Sequence, residues 1–390
     1  MREAVIVSAC RTPLGAFNGS LASLGAVDLG AIAIREAVKR AGIEDKEVNE
    51  VIMGQVLPCG CGQNPAKQAA VRANMPWEVE ALTINKVCGS ALKAVMLAAQ
   101  AVVAGDADVV IAGGMESMSN APYFLEKARF GLRMGHGEIK DGMIHDGLWD
   151  HVNNFHMGMS NEICSEKWGV TKEDQDRYAA ESYRRANEAK ASGRFKDEIV
   201  PVEIKSRKGV TVFADDESVK ETPYEMLAAM SGAFKKGGVG TAGNASIIAD
   251  GAAAVCVMSR EKAEALGCEI LATIGAQASY GIEMQYVLMA PVWSIPKCCA
   301  KEGIQMDAID LFEINEAFSG TSFAINRELK LDPAKVNVNG GSVAIGHPIG
   351  ASGARVLTTL IYEMKRRDAR TGLASLCLGG GEAVSLIIKR

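Results

Sequence analysis

The sequence predicts an α/β protein made of two similar halves, with a long insertion in the first. Three observations carry this reading. Short apolar runs alternate with segments of helical periodicity, the pattern of buried strands covered by helices. A stretch near the N-terminus has a counterpart near the C-terminus. Between them, residues 123–208 turn rich in Met, Gly, Asn and charged side chains. At 390 residues the chain is also too long for one ordinary hydrophobic core.

Residues 4–8, rich in Val and Ile, read as the first strand, and 10–19, with Arg, Pro and Gly, as a loop. Residues 28–41 have helical periodicity: Leu29, Ile32, Ala33 and Val38 share a face, and Gly42 is placed as the C-cap. Residues 48–53 pass from helix to strand. Residues 81–87 are strand-like, 91–104 form a helix of small residues broken by Gly105 and Asp106, and 108–112 are an apolar strand ended by Gly113 and Gly114. Inside the insertion, 171–191 is an amphipathic helix; Thr171 is its N-cap and Asp174 the weaker form of a capping box. Residues 215–234 carry a further helix, and 250–258 re-enter the core.

The repeat can be written out. Placing Gly42 on Gly303 sets Val48 against Ile309 and Val51 against Phe312. The run from Ile111 to Glu116 aligns with that from Cys377 to Glu382, and each glycine pair follows a helix and an apolar strand of similar length. A duplicated α/β unit is the simplest account.

Composition narrows the function classes. A hydrophobic share of 48% with 23% charged residues is that of a globular protein, not a disordered one. The net charge of -5 argues against bulk nucleic-acid binding but permits a local basic patch for a phosphorylated ligand. No secretory leader and no membrane span are expected, because the apolar runs fall short of the roughly 20 residues a span needs. The ten cysteines lack zinc-ligand spacing, Cys59 and Cys61 having no second pair, so no metal is expected. Reduced thiols fit a cytoplasmic setting.

Three side chains stand out. Cys88 lies between a strand and a helix of small residues; at a helix N-terminus its thiol should be acidified, and Gly89 and Ser90 leave room for a substrate. A buried structural cysteine is the other reading of that position. His347 sits in a run from Asn339 to Gly353 with five glycines, which reads as a tight, solvent-facing loop; Pro348 fixes the backbone after it. The same glycines could instead form a phosphate nest. Cys377 ends an apolar run just before Gly379, whose backbone N–H can point at a ligand. A cysteine facing a second cysteine and a histidine can trade protons with them. Asn315, at a strand end, either holds water or a side chain in place or caps a helix. His156 lies in the insertion, where nothing local distinguishes a ligand contact from a surface residue.

At these residues the chain closely resembles the thiolase family, over almost its whole length. Four motifs in order carry the likeness: Cys88-Gly89-Ser90, Asn315-Glu316-Ala317-Phe318, Gly346-His347-Pro348-Ile349-Gly350-Ala351-Ser352-Gly353 and Cys377-Leu378-Gly379. The resemblance implies a five-layered α-β-α-β-α core from duplicated halves: 1–118 and 249–268 in the N-terminal half, 269–390 in the C-terminal half, and 119–248 as a loop domain covering the active site. It implies a homo-oligomer, tetramer or dimer. It implies coenzyme A and acyl-CoA as substrates and no tightly bound cofactor.

The implied mechanism is ping-pong. Cys88 takes the acyl group while His347 accepts its proton, and Cys377 then deprotonates the second acetyl-CoA. His347 with a water held by Asn315 forms one oxyanion site, and the backbone N–H groups of Cys88 and Gly379 the other. By the same resemblance the pantetheine arm runs past His156, Ala242, Gly243, Ser246, Ala317 and Phe318. The biosynthetic acetyl-CoA acetyltransferase type is the best match. A degradative 3-oxoacyl-CoA thiolase for longer or branched chains uses the same residues. A ketoacyl-synthase-like enzyme and a non-catalytic acyl-CoA binding subunit fit the motifs less well.

Some residues depart from the family's usual pattern. Ala91 stands where a glycine is common, 287–291 lacks two glycines, 247–250 is bulkier than usual, and Glu382 brings a charge into the turn after Cys377. The first change is expected to narrow the site, and the second to reshape the acyl end of the pocket.

Overall fold

The protein is described by a computed structural model over residues 2–207 and 209–390; Met1 and Lys208, which fall in the ranges 1–118 and 119–248, lie outside the described residues. The main strands are β1 (Ala4–Arg11), β2 (Glu50–Gly54), β3 (Glu80–Ile84), β4 (Val109–Ser117), β5 (Ala249–Ser259), β6 (Ala272–Gly281), β7 (Leu311–Ile314), β8 (Thr371–Leu378) and β9 (Glu382–Lys389). The main helices are α1 (Ala26–Ala41), α2 (Pro65–Arg72), α3 (Ser90–Ala104), α4 (Met157–Lys167), α5 (Lys172–Ala191), α6 (Pro291–Glu302), α7 (Ser319–Glu328) and α8 (Ser352–Arg367).

The strands follow the order β7-β8-β9-β6-β1-β5-β4-β2-β3. The duplication is visible in their directions. In the first half β1 and β5, then β5 and β4, run antiparallel, and β4 and β2 run parallel. In the second half β6 and β9, then β9 and β8, run antiparallel, and β8 and β7 run parallel. The two mixed sheets meet where Val5 and Ile6 pair with Thr273 and Ala272. Gly42 and Gly303, aligned by sequence, both cap their helices in the left-handed region, at φ 69° and 76°. A residue with a β-carbon would be strained at either.

Apolar faces then stack the layers. α1 and α2 cover one face of the first sheet, and α6 covers the outer face of the second. Between them α3 and α8 pack on each other and on strands of both halves. The stretch Val87–Ala104 is apolar and long enough to cross a bilayer by composition alone, yet in the fold its helix forms this central layer.

Several elements differ from expectation for identifiable reasons. β4 does not end at Gly113 but continues to Ser117. A β-carbon on Gly113 would lie 2.1 Å from the Ala253 carbonyl oxygen, and one on Gly114 would lie 2.1 Å from that of Gly350. These glycines therefore permit close backbone approach within the strand. β1 likewise runs on to Arg11, into the segment read as a loop. In place of a helix over 215–234 there is one short turn of helix, Tyr224–Ala228. The helix expected over 171–191 is α5, with Thr171 and Asp174 forming both bonds of the capping box.

Arg11 fastens the inserted region to the core. Its buried guanidinium donates to Glu198 at 2.6 Å and to both Asp216 oxygens at 2.7 and 2.8 Å. Replacing Arg11 with Met strands two carboxylates away from water. The expected result is a loss of about 3–5 kcal/mol of stability, read as a lower urea midpoint at fixed protein concentration. A change below about 1 kcal/mol would mean that the carboxylates find other partners.

Candidate active site

One cavity of about 220 Å³ lies where the ends of both sheets meet the inserted region. Cys88, His347, Cys377 and Gly379 all line it, together with His156, Ser246, Ala317 and Phe318. Asn315 stands behind His347. Of the residues expected at the cofactor side, Ala242 and Gly243 do not reach the wall. Ala242 is exposed, and Gly243 packs against Leu227 and Met230.

Cys88 comes from a tight passage between β3 and α3. Val87, just before it, has φ +46°, an uncommon value for a β-branched residue and a sign of stored strain. Asn85 Oδ1 accepts from the Val87 N–H at 2.9 Å, and Ser90 Oγ accepts from Lys86 N–H and donates to the Val87 carbonyl. Lys86 also pairs with Glu382, the first residue of β9, so the unexpected charge joins the passage before Cys88 to the strand pair that carries Cys377. Cys88 is not acidified as its position predicts. Burial pushes its thiol up to about 12, against the lowering effect of the Gly379 and Cys88 backbone N–H groups near the sulfur. Gly89 is the N-cap and Ser90 the first helical residue, so Cys88 stands one residue before the cap, and desolvation outweighs what the helix terminus offers it.

His347 is not on a solvent-facing loop. The run from Asn339 to Gly353 is buried almost throughout, with His347 5% exposed. Its glycines allow contact: a β-carbon on Gly353 would sit 2.2 Å from Leu92 N, and one on Gly350 would sit 2.5 Å from Glu116 Oε2. Burial, with a smaller push from Arg355, lowers the imidazole to about 3, so it is neutral at physiological pH. Ser352 Oγ donates to the Pro348 carbonyl at 2.9 Å and lies 2.6 Å from His347 Nδ1. With its one proton committed there, Ser352 accepts from Nδ1–H, and Nε2 carries the lone pair. Asn315 Nδ2 faces that nitrogen at 3.4 Å. Asn315 is not a helix cap; Phe318 occupies that place for α7.

Cys377 ends β8 beside the Cys88 and Cys164 thiols. Burial first, then those neighbours, raise its thiol above the ordinary range. His156 caps α4, accepting from the Gly158 N–H at 3.0 Å, and stacks on Phe234 with centroids 5.4 Å apart. Ala91 leaves the cavity alone: its methyl packs with Ala253 and Ala354. Ile247, Ile248, Val287 and Leu288, by contrast, are in the wall. Sequence reasoning did not find Ser342, Ser352 and Arg355. Ser342 and Ser352 lay within the quoted glycine-rich run, but nothing local marked them. Among the described residues no group of His, Cys, Asp and Glu side chains could hold a metal ion.

A half-buried and a buried thiol, a neutral imidazole and converging backbone N–H groups on a duplicated α/β scaffold define an enzyme of covalent acyl transfer. The chain belongs to the thiolase family: residues 4–261 match the thiolase N-terminal domain and 268–390 the thiolase C-terminal domain. It is accordingly an acyltransferase that uses CoA thioesters. Over the full length of both chains it is 52% identical to the acetyl-CoA acetyltransferase of Pseudomonas aeruginosa and 51% identical to that of Cupriavidus necator. The crystal structure of the Bacillus anthracis acetyl-CoA acetyltransferase superposes with a TM-score of 0.98 at 42% identity, covering 100% of this chain and 99% of that one.

Proposed function

We propose that the protein condenses two acetyl-CoA molecules to acetoacetyl-CoA and CoA, and catalyses the reverse thiolysis. The observation that carries this reading is the single cavity shared by Cys88, His347 and Cys377. Cys88 Sγ attacks the thioester carbon while its proton passes to His347 Nε2, which hands it to the departing CoA sulfur. The acyl group is then bonded to Cys88. The backbone N–H groups of Cys88 and Gly379 receive the oxyanion; such pre-aimed donors are worth roughly 3 kcal/mol each.

In the second half the Cys377 proton moves to His347, and the Cys377 thiolate takes a proton from the methyl of the incoming acetyl-CoA. A carbon acid beside a thioester is weak, so a thiolate whose conjugate acid is raised by burial suits this task. The enolate oxygen meets His347 and a water on Asn315. The carbanion attacks the acyl carbon, Cys88 sulfur leaves, and His347 returns its proton to it. His156, Ser246, Ala317 and Phe318 line the path of the pantetheine arm. Residues 119–248 act as the cover over the site, 1–118 with 249–268 and 269–390 as the two halves. The working protein is a homo-oligomer in the cytoplasm, a tetramer or a dimer.

A second reading, thiolysis of longer or branched 3-oxoacyl-CoA, is favoured by the apolar wall of Met118, Leu148, Ile247, Ile248 and Leu288. A thiolysis panel of straight, branched and aromatic esters separates the two. A preference for acetoacetyl-CoA supports the first, and one for larger esters the second. The wall itself is testable. Leu288→Gly should shift the short-to-long rate ratio by about tenfold or more. Ala290→Gly, at a buried position off the wall, should leave it within about twofold. Equal effects of the two would refute this placement of selectivity.

A further inference from the structure

Asn315 has a carboxamide, and a carboxamide can face the site with either end. Turned one way, its N–H groups donate toward His347 and the water that meets the reacting oxygen. Turned the other, its oxygen lies there and repels developing negative charge. Something must choose between the two.

The choice is made behind the site. Ser342 Oγ donates to Asn315 Oδ1 at 2.6 Å, and Arg355 Nη2 donates to Ser342 Oγ at 3.0 Å. All three side chains are buried, at 0% exposure for Ser342, 3% for Asn315 and 1% for Arg355. A guanidinium can only donate. Ser342 Oγ therefore accepts from Arg355, and its single proton is left for Asn315. That bond claims the amide oxygen and turns Nδ2 to His347 Nε2, 3.4 Å away. Donors run in one direction from Arg355 through Ser342 to Asn315, and each bond in such a chain polarises the next. Ser342 is also the first residue of the short helix Ser342–Ile345 that leads into Gly346 and His347, and its carbonyl accepts from the Ile247 N–H at 3.3 Å. Its position is thus set by the same turn that sets the histidine.

We propose that Ser342 is a positioning residue of the second half-reaction: it locks the Asn315 amide with its N–H groups toward His347 and the water that meets the enolate oxygen, under the direction of Arg355. Ser342 does not touch substrate. The inference rests on the reading of His347 and Asn315 as the enolate-side oxyanion site, and it concerns that site alone. The acylation of Cys88 draws on the Cys88 and Gly379 amides and is independent of it.

The test uses the full-length enzyme and two readouts. One is exchange of the acetyl-CoA methyl protons with deuterium, followed by NMR; the other is the rate of Cys88 acylation, followed by quenched intact-mass measurement. Removing an oxyanion donor outright costs about 10²- to 10³-fold, so loosening its aim should cost about 10- to 100-fold. Ser342→Ala should lower exchange and condensation by that factor, with KM and the acylation rate within about threefold of wild type. Ser342→Thr, which keeps the hydroxyl, should recover most of the exchange. The double variant with Asn315→Ala should be no slower than Asn315→Ala alone, because both act through one amide. That last comparison stands even if threonine packs badly. The inference is overturned if Ser342→Ala exchanges at the native rate while Asn315→Ala does not, if exchange and acylation fall together, or if the two losses multiply. If Asn315→Ala itself exchanges normally, the oxyanion reading fails first and takes this inference with it.

Discussion

Cys377→Ser is expected to stop carbon–carbon bond formation while leaving the acyl-enzyme intact. The serine keeps the shape of a buried residue at the end of β8 but loses the sulfur whose thiolate is the base. An alkoxide there is far less accessible, so condensation and methyl-proton exchange should each fall by at least about 10³-fold, the upper part of the range for a positioned base and beyond. Acetyl-CoA should still load Cys88, and intact mass should show one added acetyl group. Cys88→Ser should fail earlier, with no trapped acyl group. If Cys377→Ser exchanged protons at the native rate, another residue would be the base, and the two cysteines would need new roles.

The second large effect belongs to His347. Because burial holds the Cys88 thiol up to about 12, it is protonated near neutrality and needs an acceptor at the moment of attack. Because burial holds the imidazole near 3, that acceptor is in its neutral form throughout the physiological range. His347→Ala should slow Cys88 acylation by about 10³-fold or more at pH 7, since a base and a charge-stabilising group vanish together. The sign of the pH dependence follows. Without the imidazole only pre-formed thiolate reacts, so the residual rate should rise about tenfold per pH unit between 7 and 9.5, below the thiol's own value. The native enzyme should lack that slope, and its acid limb should show no titration at the ordinary histidine value near 6.5. Quenched mass measurements of both proteins from pH 6 to 9.5 decide this. A flat profile for His347→Ala would show that Cys88 is already a thiolate at rest.

Much of this protein is written in short-range chemistry, and that part is readable from sequence. Thr171 and Asp174 announce the start of α5 because a capping box needs only four consecutive residues. Gly42 and Gly303 announce helix ends because the left-handed cap is a local demand of the backbone. Their equal spacing from the following strands carries the duplication. Cys88, His347 and Cys377 stand out because reactive side chains lie beside glycine at the ends of predicted strands and loops. The resemblance of four ordered motifs then supplies the chemistry.

What the sequence leaves open is whatever depends on partners far along the chain. Gly114 reads as a strand terminator until Gly350, more than two hundred residues away, is seen pressed against it. The glycine run around His347 looks solvent-facing until both halves close over it, and the same surroundings push the half-buried Cys88 thiol up rather than down. The apolar wall of the cavity joins Leu288 to Ile247 and Ile248, and no spacing rule links them. Arg355 reaches Asn315 only through Ser342, a bond between a helix, a short turn and a strand end. Sequence by itself marked the two thiols and the imidazole that share the cavity and the backbone turns that hold them, since propensity and capping act within a few residues. Tertiary structure alone decided their proton affinities, the orientation of the amide and the shape of the acyl pocket, since desolvation and contact depend on what the rest of the chain brings near.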